Sequence, residues 1–223
     1  MARLPRLALP GFVHYVIQRG HNGQPVFLDS VDRSLYLAAI TAAAAVEPVQ
    51  LHAWALLDTE VQLMATPGSA SALSRFMQAV NRRYVTVFNK RHGRSGTLWD
   101  GRFRAAVVEP GALRLQVLAL IDSVGADHAP TSTPARQRLG GAHEPLVADP
   151  PEYWSLGNTP FEREAAYRAL LADGVAPATA ALLRRAALGG WVAGLTSSAL
   201  QRADEGGRPL TPRRRGRPRL AAL

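Results

Sequence analysis

The first part of the chain is predicted to form an α+β fold with an antiparallel sheet, and three observations lead to this prediction. Short apolar runs alternate along the chain with segments whose apolar residues recur at helical spacing. The order of these segments is strand, helix, two strands, helix, strand, helix. Hydrophobic residues make up 47% of the 223 residues, which is enough to fill a core between a sheet and its helices.

Each element follows from a local pattern. The predicted elements are a strand at 13–18, a helix from Asp29 or Ser30 to about 46, strands at 51–57 and 61–65, a helix at about 71–91, a strand at 102–108, and a helix after Pro110 and Gly111. The long helix places its apolar residues on one stripe at about 100° per residue. The last helix has a predicted core stripe of Leu113, Val117, Leu120 and Val124. This order of elements is typical of a ferredoxin-like sandwich.

Two proline- and glycine-bearing breaks, at 129–141 and 206–209, divide the rest of the chain. We therefore predict a compact α+β domain over 1–128, a helical annex over 129–203 and a disordered basic tail over 204–223. Within the annex, the pattern predicts helices from about 160 to 171 and from 177 to 188, each with a proline near its start.

The charge balance indicates a polyanionic partner. Lysine and arginine number 26 against 17 acidic residues, which gives a net charge of +9. Six arginines and no acidic residue lie between Arg208 and Arg219, so much of the excess is in the tail. Nucleic acid is the first class of partner that such a surplus favours.

Several function classes are excluded or disfavoured. The chain has no cysteine, so it has no disulfide, thiolate metal site or cysteine nucleophile. No stretch approaches about 20 uninterrupted apolar residues, and the first residues lack the apolar core of a secretion signal. The six histidines are scattered without ligand spacing. We expect a cytoplasmic, nucleoid-associated protein without membrane contact, metal or cofactor.

The first candidate DNA-binding region is the long helix with the loop that follows it. The predicted contacts are Arg75, Arg82, Arg83, Lys90, Arg91, Arg94, Arg102 and Arg104, with Trp99 between them and with Arg19 and His21 in the first loop near the bases. Here the arginines would bind phosphates while Trp99 stacks on an unpaired base. A solvated helix face followed by a hairpin with a buried tryptophan fits the same composition equally well.

The tail is the second candidate. It contains the Arg-Gly-Arg-Pro core of an AT-hook, formed by Arg213, Arg214, Arg215, Gly216, Arg217 and Pro218. Such a segment lies extended in a narrow A·T minor groove, where the potential is most negative and glycine lets the backbone come close. The alternative is a basic tail that only aids solubility.

Together these stretches resemble the REP-associated tyrosine transposases, of the single-tyrosine HUH transposase superfamily. The resemblance is carried by residues 2–7, 15–20, 24–27, 76–84, 96–103, 167–170, 189–191 and 213–219. It implies a ferredoxin-like fold, pairing into homodimers and binding of imperfect palindromic DNA hairpins. It also implies cleavage of one strand through a phosphotyrosine, with a divalent metal held by a His-hydrophobe-His pair.

The chain departs from this family at the residues that carry the chemistry. The two histidine positions are Glu60 and Gln62, and the position of the nucleophilic tyrosine is Leu120. Leucine has no oxygen with which to attack phosphorus. The sequence therefore predicts a catalytically inactive, domesticated DNA-binding protein that acts on a duplex promoter or a hairpin as a transcriptional regulator.

Two alternatives stay open at this point. One is a residual metal-dependent single-strand nuclease, in which the oxygens of Glu60 and Gln62 weakly hold a hydrated Mg²⁺ and a relocated tyrosine attacks. The other is a protein that acts by pairing with an active transposase.

Overall fold

The computed structural model describes residues 6–126, 132–194 and 210, and it confirms the predicted α+β class. In chain order the elements are β1 (His14–Arg19), α1 (Ser30–Ala44), β2 (Val49–Leu57), β3 (Glu60–Pro67), α2 (Ala72–Arg91), β4 (Arg104–Val108), α3 (Ala112–Ala126), α4 (Ala135–Arg138), α5 (Pro151–Trp154), α6 (Pro160–Asp173), α7 (Pro177–Gly189) and β5 (Val192–Ala193). The sequence did not predict α4, α5 and β5, because two to four residues are too few to show a periodicity.

Within the residues that the structure describes, five strands form one sheet in the order β2-β3-β1-β4-β5. The first four strands are antiparallel to their neighbours, as in the predicted ferredoxin-like arrangement, and β1 lies between β3 and β4. The short β5 pairs in parallel with β4 and comes from the C-terminal part of the chain. The C-terminal segment thus extends the same sheet that the N-terminal part forms.

Helices cover both faces of this sheet. Successive residues of a strand point to opposite faces, so Val16 enters one core while Tyr15 and Ile17 enter the other. The first face packs against α1 and α2, and the second is covered by α3 and by the helices that follow it. The second face is therefore covered by α3 of the predicted domain and by helices of the predicted annex.

The start of α1 and the end of α2 are joined by ion pairs. Asp29 caps α1, as predicted, and its side chain accepts a hydrogen bond of 3.0 Å from the backbone N–H of Asp32. Arg91 binds Asp29 at 2.6 Å and the fully buried Asp32 at 2.5 Å, and His92 also contacts Asp32. These contacts fix the loop that follows α2 over the end of the first core.

The core face of α3 differs from the predicted stripe. Of the four stripe residues only Val117 is buried, whereas Leu120 is partly exposed. The buried side is formed by Arg114, Val117, Leu118, Ala119, Ile121, Asp122 and Gly125. The reason is that α3 packs on β2 and β3 and is in turn covered by α5, α6 and α7, so a wide part of its circumference is enclosed.

A buried polar network accounts for the charged residues on that side of α3. Asp122 accepts hydrogen bonds from Arg138 at 2.8 Å and from the hydroxyl of Tyr167 at 2.7 Å. Arg138 also lies 2.7 Å from Asp149 and donates to the carbonyl of His52 on β2. Buried charges require such partners, and here they connect α3, α4 and α6 to the sheet.

Within the described stretches, none of the helices combines the length and the apolar content needed to span a bilayer.

Candidate nucleic-acid interface

Glu60 and Gln62 lie on the second face of the sheet, at the start of β3. In the strand register Glu60 lies opposite Arg19 and Gln62 lies opposite Ile17, so all four side chains share this face. Glu60 is 6% exposed and Gln62 is 4% exposed. Two polar side chains that are buried this deeply need internal partners.

A continuous chain of hydrogen bonds supplies these partners. The hydroxyl of Tyr15 donates to Oε1 of Gln62 at 2.7 Å, and Nε2 of Gln62 donates to Oε1 of Glu60 at 2.8 Å. From α7, Arg184 donates to both oxygens of the Glu60 carboxylate, at 2.7 and 2.6 Å. The hydrogen bonds to Glu60 raise the pKa of Arg184. The guanidinium of Arg184 therefore occupies the position next to Glu60 that a bound metal cation would occupy.

This donor set does not fit the divalent metal that the resemblance implies. Both oxygens of Glu60 accept from Arg184, and the side-chain oxygen of Gln62 accepts from Tyr15. In the part of the chain that the structure describes, no three histidine, cysteine, aspartate or glutamate side chains lie close enough together to hold a metal ion.

The tyrosines are placed unfavourably for nucleophilic attack. All five tyrosines of the chain lie in the described residues and are buried: Tyr15, Tyr36, Tyr84, Tyr153 and Tyr167. Burial is the largest cause that raises the pKa of each hydroxyl, so each stays protonated at neutral pH. A buried, protonated phenol is a poor nucleophile. Tyr15, whose hydroxyl donates to Gln62, is only 1% exposed.

A groove of about 370 Å³ opens at the same end of the sheet. We call it the arginine groove. It is lined by Arg6, Leu7, Ile17, Arg19, Asp100, Gly101, Arg102, Phe103, Arg104, Ala105, Leu188, Gly189, Gly190 and Trp191. Four arginines face a single acidic residue in this lining, and two aromatic side chains lie among them. The end of β1, the start of β4 and the end of α7 meet here.

Positive charge is concentrated in the arginine groove. The guanidinium of Arg6 lies 4.0 Å from the centre of the Phe103 ring. Burial lowers the pKa of Arg6, and the nearby charges of Arg102 and Arg104 lower it further. The acid in the lining, Asp100, is paired with Arg19 at 3.1 Å. Arg6, Arg102 and Arg104 thus form a cationic cluster suited to a phosphate backbone.

The other predicted arginines and the lysine are divided by the sheet. Arg82, Arg83 and Lys90 are exposed on α2, which packs against the opposite face. Arg75 is bound to Glu47 at 2.7 Å, on the same helix layer. The predicted DNA contacts therefore do not form one surface. Those on α2 lie on the first face of the sheet, whereas Arg102 and Arg104 line the arginine groove.

Residues near the first loop have internal contacts. Arg91 is bound to Asp29 and Asp32, as described above. Arg94 donates to the side chain of Gln24 at 3.2 Å and lies over Phe88. His21 is partly buried in a single 3₁₀ turn after β1.

The prediction that Trp99 stacks on a base is wrong. Trp99 is 5% exposed, and its ring centre lies 6.2 Å from that of Tyr36 and 6.3 Å from that of Tyr84. A bridge between Gly20 and Trp99 holds the loop against the end of β1, so the indole enters the aromatic core beneath it. The burial of Trp99 agrees with the alternative interpretation, in which this tryptophan belongs to the core.

Three residues of this region were missing from the predicted contacts. Arg6 and Trp191 belong to segments that carried the family resemblance, so a signal for them was present in the sequence. Arg184 had no such signal, because it adjoins the buried Leu183 on an ordinary amphipathic helix and meets Glu60 only in the folded chain. The AT-hook residues from Arg213 to Pro218 lie outside the described residues.

Comparison with known proteins supports the fold. No protein-family profile matches this chain, and no curated protein matches it. Among solved structures, it is similar to a REP-associated tyrosine transposase bound to a REP hairpin, with a TM-score of 0.51 and 16% sequence identity. That match covers 67% of this chain and 92% of the transposase. A transposase-assigned protein of Deinococcus radiodurans R1 matches with a TM-score of 0.34 and 18% identity, over 49% of this chain and 88% of that protein. The chain has a transposase-like fold.

Proposed function

We propose that this protein binds DNA in the arginine groove without cutting it, and that it acts as a transcriptional regulator. The observation that carries the proposal is the position of the groove. Arg19, one of its lining residues, lies opposite Glu60 in the strand register, and Glu60 is already paired with the guanidinium of Arg184. A cationic cluster suited to a polyanion therefore lies at the same end of the sheet as the two positions where the family resemblance implies histidines.

The chemistry of the groove favours a DNA backbone. Arginine forks bind phosphate oxygens through paired N–H donors, and an aromatic ring beside them offers a face to an unstacked base. Trp191 is the partly exposed aromatic side chain of the lining. Because the transposase of similar fold was solved with a DNA hairpin, a palindromic hairpin is the first ligand to test, and a duplex is the second.

Cleavage is disfavoured by the side chains that stand at the positions where the resemblance implies catalytic residues. Leu120 on α3 has no nucleophilic oxygen, and every tyrosine hydroxyl of the chain belongs to a buried residue. The oxygens of Glu60 and Gln62 accept hydrogen bonds from Arg184 and Tyr15. These features support binding without strand cleavage.

DNA affinity tests the role of the groove. In the double variant R102Q/R104Q we expect affinity for a hairpin to fall at least tenfold, and the salt dependence of log K to weaken by about two units, because two phosphate contacts are lost. The matched control is R136Q/R168Q, which makes the same charge change at exposed residues on α4 and α6 that do not line the groove. Equal losses in both variants, measured by fluorescence anisotropy, would contradict the groove assignment.

Cleavage is tested separately. We expect no nicked product and no covalent protein–DNA adduct when the protein is incubated with a DNA hairpin and Mg²⁺ or Mn²⁺ on a denaturing gel. An adduct that disappears in the Y15F variant would instead support the nuclease alternative, with Tyr15 as the relocated nucleophile.

The regulatory part of the proposal is tested in cells. Genome-wide mapping of bound sites should show peaks at a limited set of promoters, with changed transcription of the adjacent genes when the protein is removed. Occupancy confined to dispersed palindromes, without any change in transcription, would contradict regulation while leaving DNA binding intact.

A further inference from the structure

We infer that Arg184, held by the Glu60 carboxylate, is a built-in phosphate ligand beside the start of β3. This inference rests on the proposed function, because it extends the DNA-binding surface from the arginine groove to α7.

The geometry leaves Arg184 able to bind a second anion. A guanidinium has five N–H donors, and the two short contacts to Glu60 occupy two of them. The Arg184 side chain is 43% exposed, whereas that of Glu60 is only 7% exposed. The carboxylate therefore lies beneath the guanidinium, and the remaining donors have access to solvent.

The hydrogen-bond chain holds this arginine in place. Glu60 is itself fixed by Gln62, and Gln62 is fixed by the hydroxyl of Tyr15. An arginine that is free in solution loses rotamer freedom when it binds a phosphate, which weakens binding. Arg184 has already lost much of that freedom in the fold, so Glu60 acts as its positioning residue.

Arg184 continues the line of the arginine groove. Glu60 lies directly across the strand pair from Arg19, which lines the groove. Leu188, another lining residue, follows Arg184 by one helical turn on the same side of α7. A DNA strand whose phosphates contact Arg102 and Arg104 therefore has Arg184 beside its path.

The test is a charge-neutral double variant. E60Q/R184Q removes the ion pair without changing the net charge of the protein, and leaves two amides that can bond to each other. We expect its affinity for a DNA hairpin at about 0.1 M salt to fall about fivefold relative to wild type, because one phosphate contact is lost. In the control R185Q, which removes one exposed positive charge from the neighbouring position of α7, we expect less than a twofold change.

A second variant covers the case in which E60Q/R184Q does not fold. R184K keeps a cation beside Glu60 but lacks the planar fork, and we expect a two- to threefold loss of affinity with an unchanged melting temperature.

The outcomes separate this inference from the proposed function. Weak binding by R102Q/R104Q together with wild-type binding by E60Q/R184Q and R184K would overturn the role of Arg184 alone. So would equal losses in E60Q/R184Q and R185Q. A wild-type protein that binds no DNA would overturn both.

Discussion

At the scale of single residues, His14 shows how burial sets a protonation state. It is fully buried at the start of β1, where Nδ1 lies 2.8 Å from the carbonyl oxygen of Phe12. The backbone N–H of Leu9 donates to Nε2 at 3.2 Å. Since Nε2 accepts a hydrogen bond, the ring is neutral and carries its proton on Nδ1. Burial lowers the pKa of His14 from 6.5 to about 4.

This shift predicts a loss of stability in acid. Because the pKa of His14 is lower in the folded state than in the unfolded chain, the unfolded chain binds the proton first as the pH falls. The contribution is fully present above pH 6.5 and is lost progressively down to about pH 4. It amounts to about 3 kcal/mol in the free energy of unfolding.

Urea denaturation at a series of pH values measures the effect, and His14→Gln is the control because it cannot be protonated. We expect the H14Q variant to show a shallower fall in the free energy of unfolding between pH 6.5 and 4. Parallel curves for the two proteins would contradict the assigned protonation state.

The ion pair between Glu60 and Arg184 shows how a charged side chain is accommodated in the interior. A buried carboxylate is tolerated when its oxygens are fully bonded, and here one side chain supplies two of those bonds. The partner lies 124 positions away in the chain. Whether a glutamate is tolerated at the buried position 60 therefore depends on an arginine of α7, far along the sequence.

At the scale of elements, the end of α7 determines how the arginine groove is shaped. The helix ends at Gly189 and is capped by Gly190, whose φ of 72° lies in the left-handed region that favours glycine. A Cβ on the preceding Gly189 would lie 2.3 Å from both Cδ1 and Nε1 of Trp191. The Trp191 indole therefore packs directly over the end of the helix, and the missing side chain of Gly189 leaves the space for it.

We expect Gly189→Ala to displace the Trp191 indole and to weaken DNA binding about fivefold, within the range of one lost base–aromatic contact. Anisotropy titration with a DNA hairpin measures the change. The variant W191A should show a similar loss, and G189A should add nothing further in the W191A background. Additive losses would show that Gly189 acts through something other than the indole.

At the scale of the whole molecule, the C-terminal segment is part of the sheet and of the second core. The strand β5 pairs with β4, and the backbone N–H of Val192 donates to the carbonyl oxygen of Leu210 at 3.1 Å. Leu210 also packs beside the cluster that contains Leu7 and Val107. Residue 210 thus contributes to the fold, and the arginine-rich segment begins just after it.

Removal of residues 212–223 tests the separate role of that segment. The deletion takes away five arginines and leaves Leu210 in place. We expect the free energy of unfolding to stay the same, while DNA affinity falls and the salt dependence of log K weakens by about one unit for each lost phosphate contact. Urea denaturation and salt-dependent titrations measure the two quantities. Unchanged affinity would favour the alternative that the tail only aids solubility.

How much was predictable differs between the fold and the site. The strand at 13–18 and the helix that starts at Asp29 were predicted within one or two residues, because periodicity and capping depend on near neighbours. The core face of α3 was predicted wrongly, because the number of partners around a helix is a tertiary property. For the same reason Trp99 was placed in a binding surface when it belongs to the core.

The sequence by itself determined the order of the elements, the α+β class, the excess of arginine and the residues that stand at positions 60, 62 and 120. Only the tertiary structure decided that Arg184 pairs with Glu60 and that Arg6, Arg19 and Arg104 meet in one groove. The physical reason is the difference in sequence separation between the interacting residues. Helix and strand patterns arise from interactions over a few residues, whereas a binding surface forms when packing brings distant segments to one end of a sheet.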